Sequence, residues 1–466
     1  MNRSFPLAFE RPFWVVLYIL SPAAALVPYF AGNWGSFFHS WSLSMTFGII
    51  GYIWFLNQFI IAARPAYWDR LYGLDGMYRF HGYMAIFATV AVVAHVVLKR
   101  LVYPVVTVQQ IFGIVALVIF VAVVIASLLF MVESRIGRLR PLARLKRYAA
   151  ERWRWQYHHL KRFHNLVVVA AFLVLAHVLL AFSTLESFLR ISVMTGWFVV
   201  ALGLYLRHKV IKPARSVRHP WTVDTVVAEN SAVTTVRLVP PEGVSLPRKA
   251  GQFAYFRFPE GVDDAGAEGT EEHPFTLSSP PGTRYVEFTA KNLGDFSGAL
   301  PALRPGAPAL IDGAYGIFRP RRFAAGRPLV LIAGGIGITP FLSILGDYAA
   351  SGTVPHPSIN LIWSLRTIED LCMVDRLTAG IEGIPELQIE LFFSREERVA
   401  EIDSLPHNIT RSAGRVGVST LEERGLLDPE REFFLCGPRP MMESLITGLR
   451  TRGVKPGRIH FEAFAM

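Results

Sequence analysis

Apolar residues crowd the first 208 positions in six long runs, at about 13–30, 41–61, 78–99, 109–131, 163–183 and 189–207. Each run approaches the roughly 20 residues that a helix needs to cross a hydrocarbon core about 30 Å thick, so the pattern predicts six transmembrane helices. From Trp221 the pattern changes to short β-rich runs separated by Gly and Pro: WTVDTVVAE, AVTTVRLV, GQFAYFRF, HPFTLSSP and YVEFTAKN. These predict a small antiparallel barrel. Near Arg321 it changes again, as PLVLIAGG runs through GIGITP into an amphipathic helix, and NLIWSLR, LQIELFFS and REFFLCG come later as strands of an α/β sheet. The expected domains are 1–212, 213–320 and 321–466, with the first joint at Ile211–Pro220, where prolines and basic residues interrupt the apolar pattern. The sequence reads as free of internal repeats and low-complexity tracts.

A chain of 466 residues with 52% hydrophobic content and mean hydropathy +0.36 has room for a membrane domain and one or two soluble domains. The net charge of +11 belongs to topology rather than to nucleic acid, because much of the excess lies in loops beside the apolar runs. Between the fourth and fifth runs, Arg135, Arg138, Arg140, Arg144, Lys146 and further basic residues face only Glu133 and Glu151, which marks that loop as cytoplasmic. Arg64, Arg70 and Arg79 before the third run, and Lys209, Lys212, Arg215 and Arg218 after the sixth, fall on the same side, so both termini are expected inside. Phe13–Phe30 lacks a small-residue cleavage site and reads as a retained first helix rather than a signal peptide. Two cysteines, Cys372 and Cys436, support neither a disulfide scaffold nor a cysteine metal site.

The third and fifth runs each carry two histidines, His81 with His95 and His164 with His177. Spacings of 14 and 13 residues place the members of each pair roughly 20 Å apart along a helix, one near each face of a bilayer core. Fourteen residues return to the same helix face; thirteen fall one short, so the fifth run needs a tightened or bent turn. A lone intramembrane histidine is ordinarily bonded to a carbonyl, but four at matched depths on two helices predict two bis-histidine b-type haems, His81 and His164 at the inner one, His95 and His177 at the outer. Arg79 and Arg162 precede the inner histidines, as propionate partners or as plain cytoplasmic anchors. Phe87 and Phe172 lie midway, either between the haems or against lipid. His39, His158, His159 and His208 lack matched partners and are assigned to loops or the interface.

The turn Gly334-Gly335-Ile336-Gly337-Ile338-Thr339-Pro340 between strand and helix suits a pyrophosphate, which backbone N–H groups and a helix N-terminus can hold. It comes after HPFT and before Cys436-Gly437-Pro438. In that order, and with the histidine spacings, the chain resembles the NADPH oxidase and ferric reductase superfamily over nearly its whole length: a six-helix transmembrane haem bundle, then a ferredoxin-reductase-like module with an antiparallel β-barrel FAD domain and an α/β nucleotide-binding domain. The resemblance implies His273 and Pro274 near the FAD phosphates, Phe275 beside the isoalloxazine and Thr276 bonding its reactive nitrogen. It further implies Lys291 and Ser297 at the second pyrophosphate contact, Cys436 by the nicotinamide, and Phe464 covering the flavin until nicotinamide displaces it. Ser394, Arg395 and Arg415, after LQIELFF and in the next turn, are candidates for the extra phosphate of NADPH.

The activity that the resemblance implies is transfer of electrons from cytosolic NADPH through FAD and two haem b groups to an outer acceptor, O2 giving superoxide or else a ferric or cupric chelate. The expected setting is a bacterial inner membrane, with no nucleic acid and no obligatory protein partner. Two departures weaken the oxygen assignment: Ser40–Thr46 holds no arginine, and Lys99 stands where oxidases of this family can carry a histidine. Lys99, one turn beyond His95, is the candidate electrostatic group at the outer site, either aiding the acceptor or snorkelling to the interface. Nothing resembles a calcium-binding regulatory loop, so constitutive activity is expected. A transporter with a fused regulatory domain is the competing class, and it predicts no haem.

Overall fold

The computed structural model describes residues 7–31, 38–103, 105–131, 157–259, 271–323, 325–396 and 409–463; most of the basic connection after the fourth run, and Phe464, lie outside the described residues. The chain divides into two compact units, Met1–Lys212 and Pro213–Met466.

The first unit is helical: α1 (Leu7–Leu20), α2 (Ala23–Phe30), α3 (Ser40–Ala62), α4 (Ala66–Val102), α5 (Val108–Ala126) with a π-helical turn Ser127–Met131, α6 (Tyr157–His164), α7 (Leu166–Leu179), α8 (Phe182–Leu185) and α9 (Phe188–Leu206). A second π turn, Arg207–Ile211, joins α9 to α10 (Lys212–Arg218). Among the described residues six stretches are long and apolar enough to cross a membrane: Glu10–Phe30, Ser40–Ala62, Ala66–Val102, Val108–Phe130, His159–Leu179 and Phe188–Arg218.

The boundaries differ from the sequence expectation where local chemistry intervenes. The first stretch is broken at Ser21-Pro22, because proline has no N–H to continue the ladder and the Ser21 hydroxyl donates back to the Tyr18 carbonyl at 2.7 Å. Helix α4 starts well before position 78 and carries one non-helical residue, Gly73 (φ 70°). The expected interruption at Ile211–Pro220 is mostly helix. The wider π turn, Arg207–Ile211, ends two positions before Pro213 and gives room for the proline ring against the preceding turn, so only His219 and Pro220 separate α10 from the first strand.

Helix α3 packs along α4, and α5 along α7. Several buried polar groups link the helices of this apolar unit: Tyr52 OH donates to the Met194 carbonyl, Trp197 Nε1 to Asn57 Oδ1, and Asn57 Nδ2 to Ser21 Oγ, which ties α3 to α9 and to the break after α1. Phe87 and Phe172, the candidates for a position between haems, are 57% and 53% exposed on the outer surface. Six residues beyond His81, Phe87 is turned well away from the histidine face. Together with Val90, Val118 and Val169 it leaves an apolar exterior compatible with a membrane-spanning region.

In the second unit β1 (Trp221–Asn230), β2 (Val233–Val239), β3 (Phe253–Arg257), β4 (His273–Thr276), β5 (Val286–Lys291) and β6 (Pro308–Tyr315) form an antiparallel sheet ordered β4-β3-β6-β1-β2-β5. The bridge Leu277–Phe288 brings its two edges together into a barrel around Val236, Phe256, Leu277 and Phe288. Short helices α11 (Asp295–Ala299) and α12 (Pro320–Phe323) lead to β7 (Leu329–Gly334), α13 (Thr339–Ser351), β8 (Ile359–Leu365), α14 (Val374–Gly383), β9 (Leu387–Phe393), β10 (Ile409–Ala413), α15 (Val418–Glu423), β11 (Glu432–Gly437), α16 (Arg439–Thr451) and β12 (Ile459–Ala463). These six strands make a parallel sheet ordered β10-β9-β8-β7-β11-β12. Strand alternation feeds two cores. Leu329, Leu331 and Ala333 pack with Phe341 and Leu345 of α13, while Val330 and Ile332 pack with Leu445 and Leu449 of α16.

Barrel and sheet are joined by charge. Glu287 of β5, 4% exposed, accepts hydrogen bonds from Arg237 at 2.8 Å and pairs with Arg376 of α14 at 3.1 Å. Removing one member of a buried ion pair costs about 3–5 kcal/mol, but these arginines can partly rehydrate, so Glu287→Ala should cost about 2 kcal/mol. Denaturant unfolding of the full chain, followed by tryptophan fluorescence, should show a lowered midpoint for that variant; an unchanged midpoint would remove the pair from the stability account.

Candidate functional site

Helix α4 carries His81 and His95; His164 closes α6 and His177 lies on α7. The bend required by the 13-residue spacing falls at Asn165, between α6 and α7, whose N–H is shared by the carbonyls of Lys161 and Arg162. This brings the rings together in two pairs, each with centroids 6.3 Å apart, His81 with His164 and His95 with His177. An imidazole nitrogen bonds a first-row metal at about 2 Å and sits a little over ~1 Å from its own ring centre, so two rings facing through one iron stand about 6 Å apart. Both pairs fit an axial bis-histidine site.

Hydrogen bonds decide which nitrogen is free. Nδ1 of His95 lies 2.7 Å from the Ser44 carbonyl and Nδ1 of His177 lies 2.8 Å from that of Gln109. A carbonyl only accepts, so each Nδ1 carries the proton and Nε2 keeps the lone pair that a metal needs. His164 Nδ1 is 3.2 Å from the Ser127 hydroxyl, which the π turn after α5 presents. His81 Nδ1 is buried with no hydrogen-bond partner.

The supports of His95 and His177 form an internal repeat that the sequence reading missed. Phe47-Gly48-Ile49 and Phe55 on α3 recur at the same spacing as Phe112-Gly113-Ile114 and Phe120 on α5. In each copy the carbonyl four residues before the glycine holds a histidine, and the glycine lies against that histidine's ring. A Cβ on Gly48 or on Gly113 would come within 2.8 Å of the ring's Nδ1. The FGI…F pattern was legible, but it was hidden within apolar runs, and the residues that supply the carbonyls, Ser44 and Gln109, share no side-chain type. Phe55 and Phe120, in edge contact at 4.8 Å, line the cavity in the place proposed for Phe87 and Phe172. The cavity of 580 Å³ contains His95, His177, Lys99 and Arg100. Lys99 Nζ lies 3.0 Å from the centre of the Trp41 ring, held by cation–π attraction rather than extended away from the site.

In the barrel, His273-Pro274-Phe275-Thr276 is strand β4. The Phe275 ring stacks on Phe288 at 4.8 Å and stays half-buried, and His273 stacks on Phe296 at 3.6 Å. Thr276 is 3% exposed and its hydroxyl has no partner, an orphaned polar atom of the sort a flavin ring nitrogen would satisfy. The loop after β4 reaches the nucleotide turn, where Ser343 Oγ of α13 donates to the Ser279 carbonyl at 2.9 Å. Two expected flavin contacts are engaged within the protein. Ser297 Oγ accepts from the N–H groups of Leu293 and Gly294, and Lys291 pairs with Asp370 at 2.9 Å. Burial opposes the charge of Asp370, but the Lys291 ammonium and backbone N–H groups outweigh it and hold the carboxyl below its ordinary range.

The parallel sheet reverses its winding between β7 and β11, the switch point at which such sheets bind ligands. GGIGITP and CGP meet there, since Cys436 pairs with Ala333 across the two strands. Their contact is glycine-only: a Cβ on Gly337 would lie 2.2 Å from the Cys436 carbonyl, and Gly334 presses on Gly437 and Pro438. Gly335 starts a 3₁₀ turn, and Thr339 and Pro340 begin α13, with Thr339 Oγ1 donating to the Ile336 carbonyl. Cys436 is fully buried, and burial raises its thiol well above the ordinary value. Ser394 and Arg395 come directly after β9, and Arg415 comes after β10 beside it. Arg395 N–H donates to the carbonyl of Arg366 at the end of β8, so three arginines, one of them missed from sequence, cap consecutive strands.

Residues 326–422 match the family model for the ferric reductase NAD binding domain. The chain is 29% identical over 244 residues to the toluate 1,2-dioxygenase electron transfer component of Pseudomonas putida, covering 50% of this chain and 67% of that protein. It is 24% identical over 250 residues to a flavohemoprotein of Xylella fastidiosa strain Temecula1, covering 52% and 58%. A ferredoxin NADP+ reductase from Neisseria gonorrhoeae solved with FAD and NADP superposes with a TM-score of 0.42 at 25% identity, over 52% of this chain and 97% of that one. The chain thus spans between 58% and 67% of the length of these curated relatives. Their common ground is the second unit, a flavin- and NAD(P)H-dependent electron-transfer module of the ferredoxin-reductase type. The chain is similar to these reductases over that unit, and within it residues 326–422 match the ferric reductase NAD binding domain.

The thiols give this module a pH signature. Burial, with Glu229 and Asp370 nearby, pushes Cys372 from an ordinary 9.0 to about 12. A group raised on folding contributes fully below its unfolded value and loses that contribution as pH climbs towards the folded one. Stability should therefore fall between about pH 9 and 12, and Cys372→Ala should flatten the decline in denaturant titrations over that window; an identical slope in both proteins would refute the linkage.

Proposed function

We propose that the chain is an integral membrane oxidoreductase that takes electrons from NADPH, holds FAD in its second unit and two b-type haems in its first, and delivers electrons to an acceptor across the membrane, with O2 giving superoxide. The observation that carries this reading is the pair of facing histidine sites, both with centroids 6.3 Å apart. Bound flavin supplies the conversion between a hydride's electron pair and single electrons, and haem iron a one-electron site.

The protein's share is to hold and to exclude. Residues 213–320 are assigned to FAD and 321–466 to NADPH. Phe275 offers an aromatic wall and Thr276 an unused hydroxyl to the flavin ring, while His273, Pro274, Lys291 and Ser297 lie towards its phosphates. Lys291 would exchange part of its bond to Asp370 for a phosphate oxygen. Gly334, Gly335, Gly337, Thr339 and Pro340 bring backbone N–H groups to the dinucleotide pyrophosphate. Beside Gly437 and Pro438, Cys436 stays a neutral thiol, so its contribution against the nicotinamide is shape and a weak S–H donor rather than a nucleophile. Phe464 is the proposed flavin cover.

His81 with His164, and His95 with His177, would hold the two haems, whose iron would supply the one-electron sites. Lys99, in the cavity with His95 and His177, would provide positive charge for nascent superoxide formed on that side. The basic loops support a bacterial inner membrane with the second unit cytoplasmic. Reduction of a ferric or cupric chelate is the second reading, favoured by the cationic cavity of Lys99 and Arg100.

Purified protein should show b-type absorbance that sharpens on reduction, with His81→Leu or His164→Leu depleting one haem and His95→Leu or His177→Leu the other. NADPH oxidation in air should reduce cytochrome c in a dismutase-sensitive way. Full haem content in all four variants would end the assignment, and a dismutase-insensitive signal with rapid ferric-chelate reduction under argon would select the second reading.

The strand-end arginines support NADPH over NADH through charge-assisted bonds to the extra phosphate. Arg395→Ala and Arg415→Ala should each raise KM for NADPH about tenfold while changing that for NADH little. Equal effects on both nucleotides would remove these residues from the phosphate site.

A further inference from the structure

We propose that hydrogen bonding at the far side of the histidines sets the two haems at different potentials, with the His95/His177 haem the stronger reductant and Ser127 the tuning residue of the other. The proposal rests on the di-haem reading above and goes beyond it, since two bis-histidine sites could as well be equivalent. Both pairs have the same ring separation, so the ligand set itself does not separate them. Their second partners do.

His95 and His177 each give their Nδ1 proton to a main-chain carbonyl, at 2.7 and 2.8 Å. A short bond to a carbonyl draws the proton outward, makes Nε2 a stronger donor and favours ferric iron, which lowers the midpoint potential. On the other side His164 meets a hydroxyl at 3.2 Å, a longer contact, and His81 Nδ1 meets no partner. Those imidazoles are weaker donors, and their iron holds an electron more readily. Fixed charge is present at both sites: Lys99 lies within electrostatic reach of His95 and His177, with Arg100 lining the same cavity, and Lys209 lies within reach of His164. The glycine contacts keep the first two bonds short, because Gly48 and Gly113 let the rings sit against helices α3 and α5. Ser127 is available only because the helix opens into a π turn at that residue.

The step from the His81/His164 side to the His95/His177 side would then be uphill for the electron, and the more reducing second site would give transfer to the acceptor the larger driving force.

An anaerobic optical redox titration of the full-length, haem-loaded protein tests this. Wild type should titrate in two steps of equal amplitude. His95→Leu should retain only the higher step and His164→Leu only the lower. Ser127→Ala should raise the higher midpoint and leave the lower in place, and Ser127→Thr, which keeps the hydroxyl, should restore it. Gly48→Ala, which pushes the His95 ring off its carbonyl, should raise the lower midpoint or release that haem. A single midpoint, the reverse assignment of steps, or no shift in Ser127→Ala at full haem content would overturn the proposal while leaving the di-haem reading intact. Absence of b-type absorbance in wild type would overturn both.

Discussion

A histidine that binds a metal uses one ring nitrogen, and something must hold the other. For His95 and His177, two of the proposed ligands, that task falls to the backbone of neighbouring helices. The carbonyls of Ser44 and Gln109 are free to reach sideways because Gly48 and Gly113, one turn on, leave room for an imidazole to lie against the helix. The layout of the helical unit meets this requirement. Helix α3 must run beside α4 and α5 beside α7, and the side chains that separate the pairs must be small enough, as Ala88, Ala170 and Ala171 are, to let the helices close around a cavity.

The second unit solves its binding problem with the same kind of close approach. Where β7 and β11 lie side by side, two turns meet so tightly that Gly337 faces a carbonyl with no room for a methyl group. Side chains are removed at that point so that peptide N–H groups are left as the surface, while Arg395 and Arg415, the residues proposed to select the nucleotide, follow the far strands. Between this turn and the flavin strand the chain places short polar links, Ser343 to Ser279 and Glu287 to Arg376, so that two binding surfaces are held in one unit.

Much of this was legible in the sequence because it depends on periodicity and on residues with few uses. Histidines recurring at 14 and 13 residues in apolar runs, HPFT, a glycine turn between strand and helix, and CGP each restrict the chain strongly. The parts that were missed depend on backbone. Asn165 gives no sign that it ends a helix, and Pro213 suggested an interruption although a π turn absorbs it. The support of His95 and His177 comes from carbonyls, which every residue possesses; only the glycines marked the place, and glycines in membrane helices are common. Lys291 and Ser297 matched a motif, yet their preference for Asp370 and for the local turn is a matter of tertiary neighbours that spacing does not carry.

The burial of Cys436 has one more consequence. Peroxide and related oxidants attack thiolates that solvent can reach, and this sulfur is fully enclosed and protonated at neutral pH. Cys372, also buried, offers no easier target. For a protein proposed to release superoxide, the absence of a reactive thiol at either cysteine makes the reductase resistant to self-inactivation, so that turnover need not erode the residue proposed to stand beside the nicotinamide.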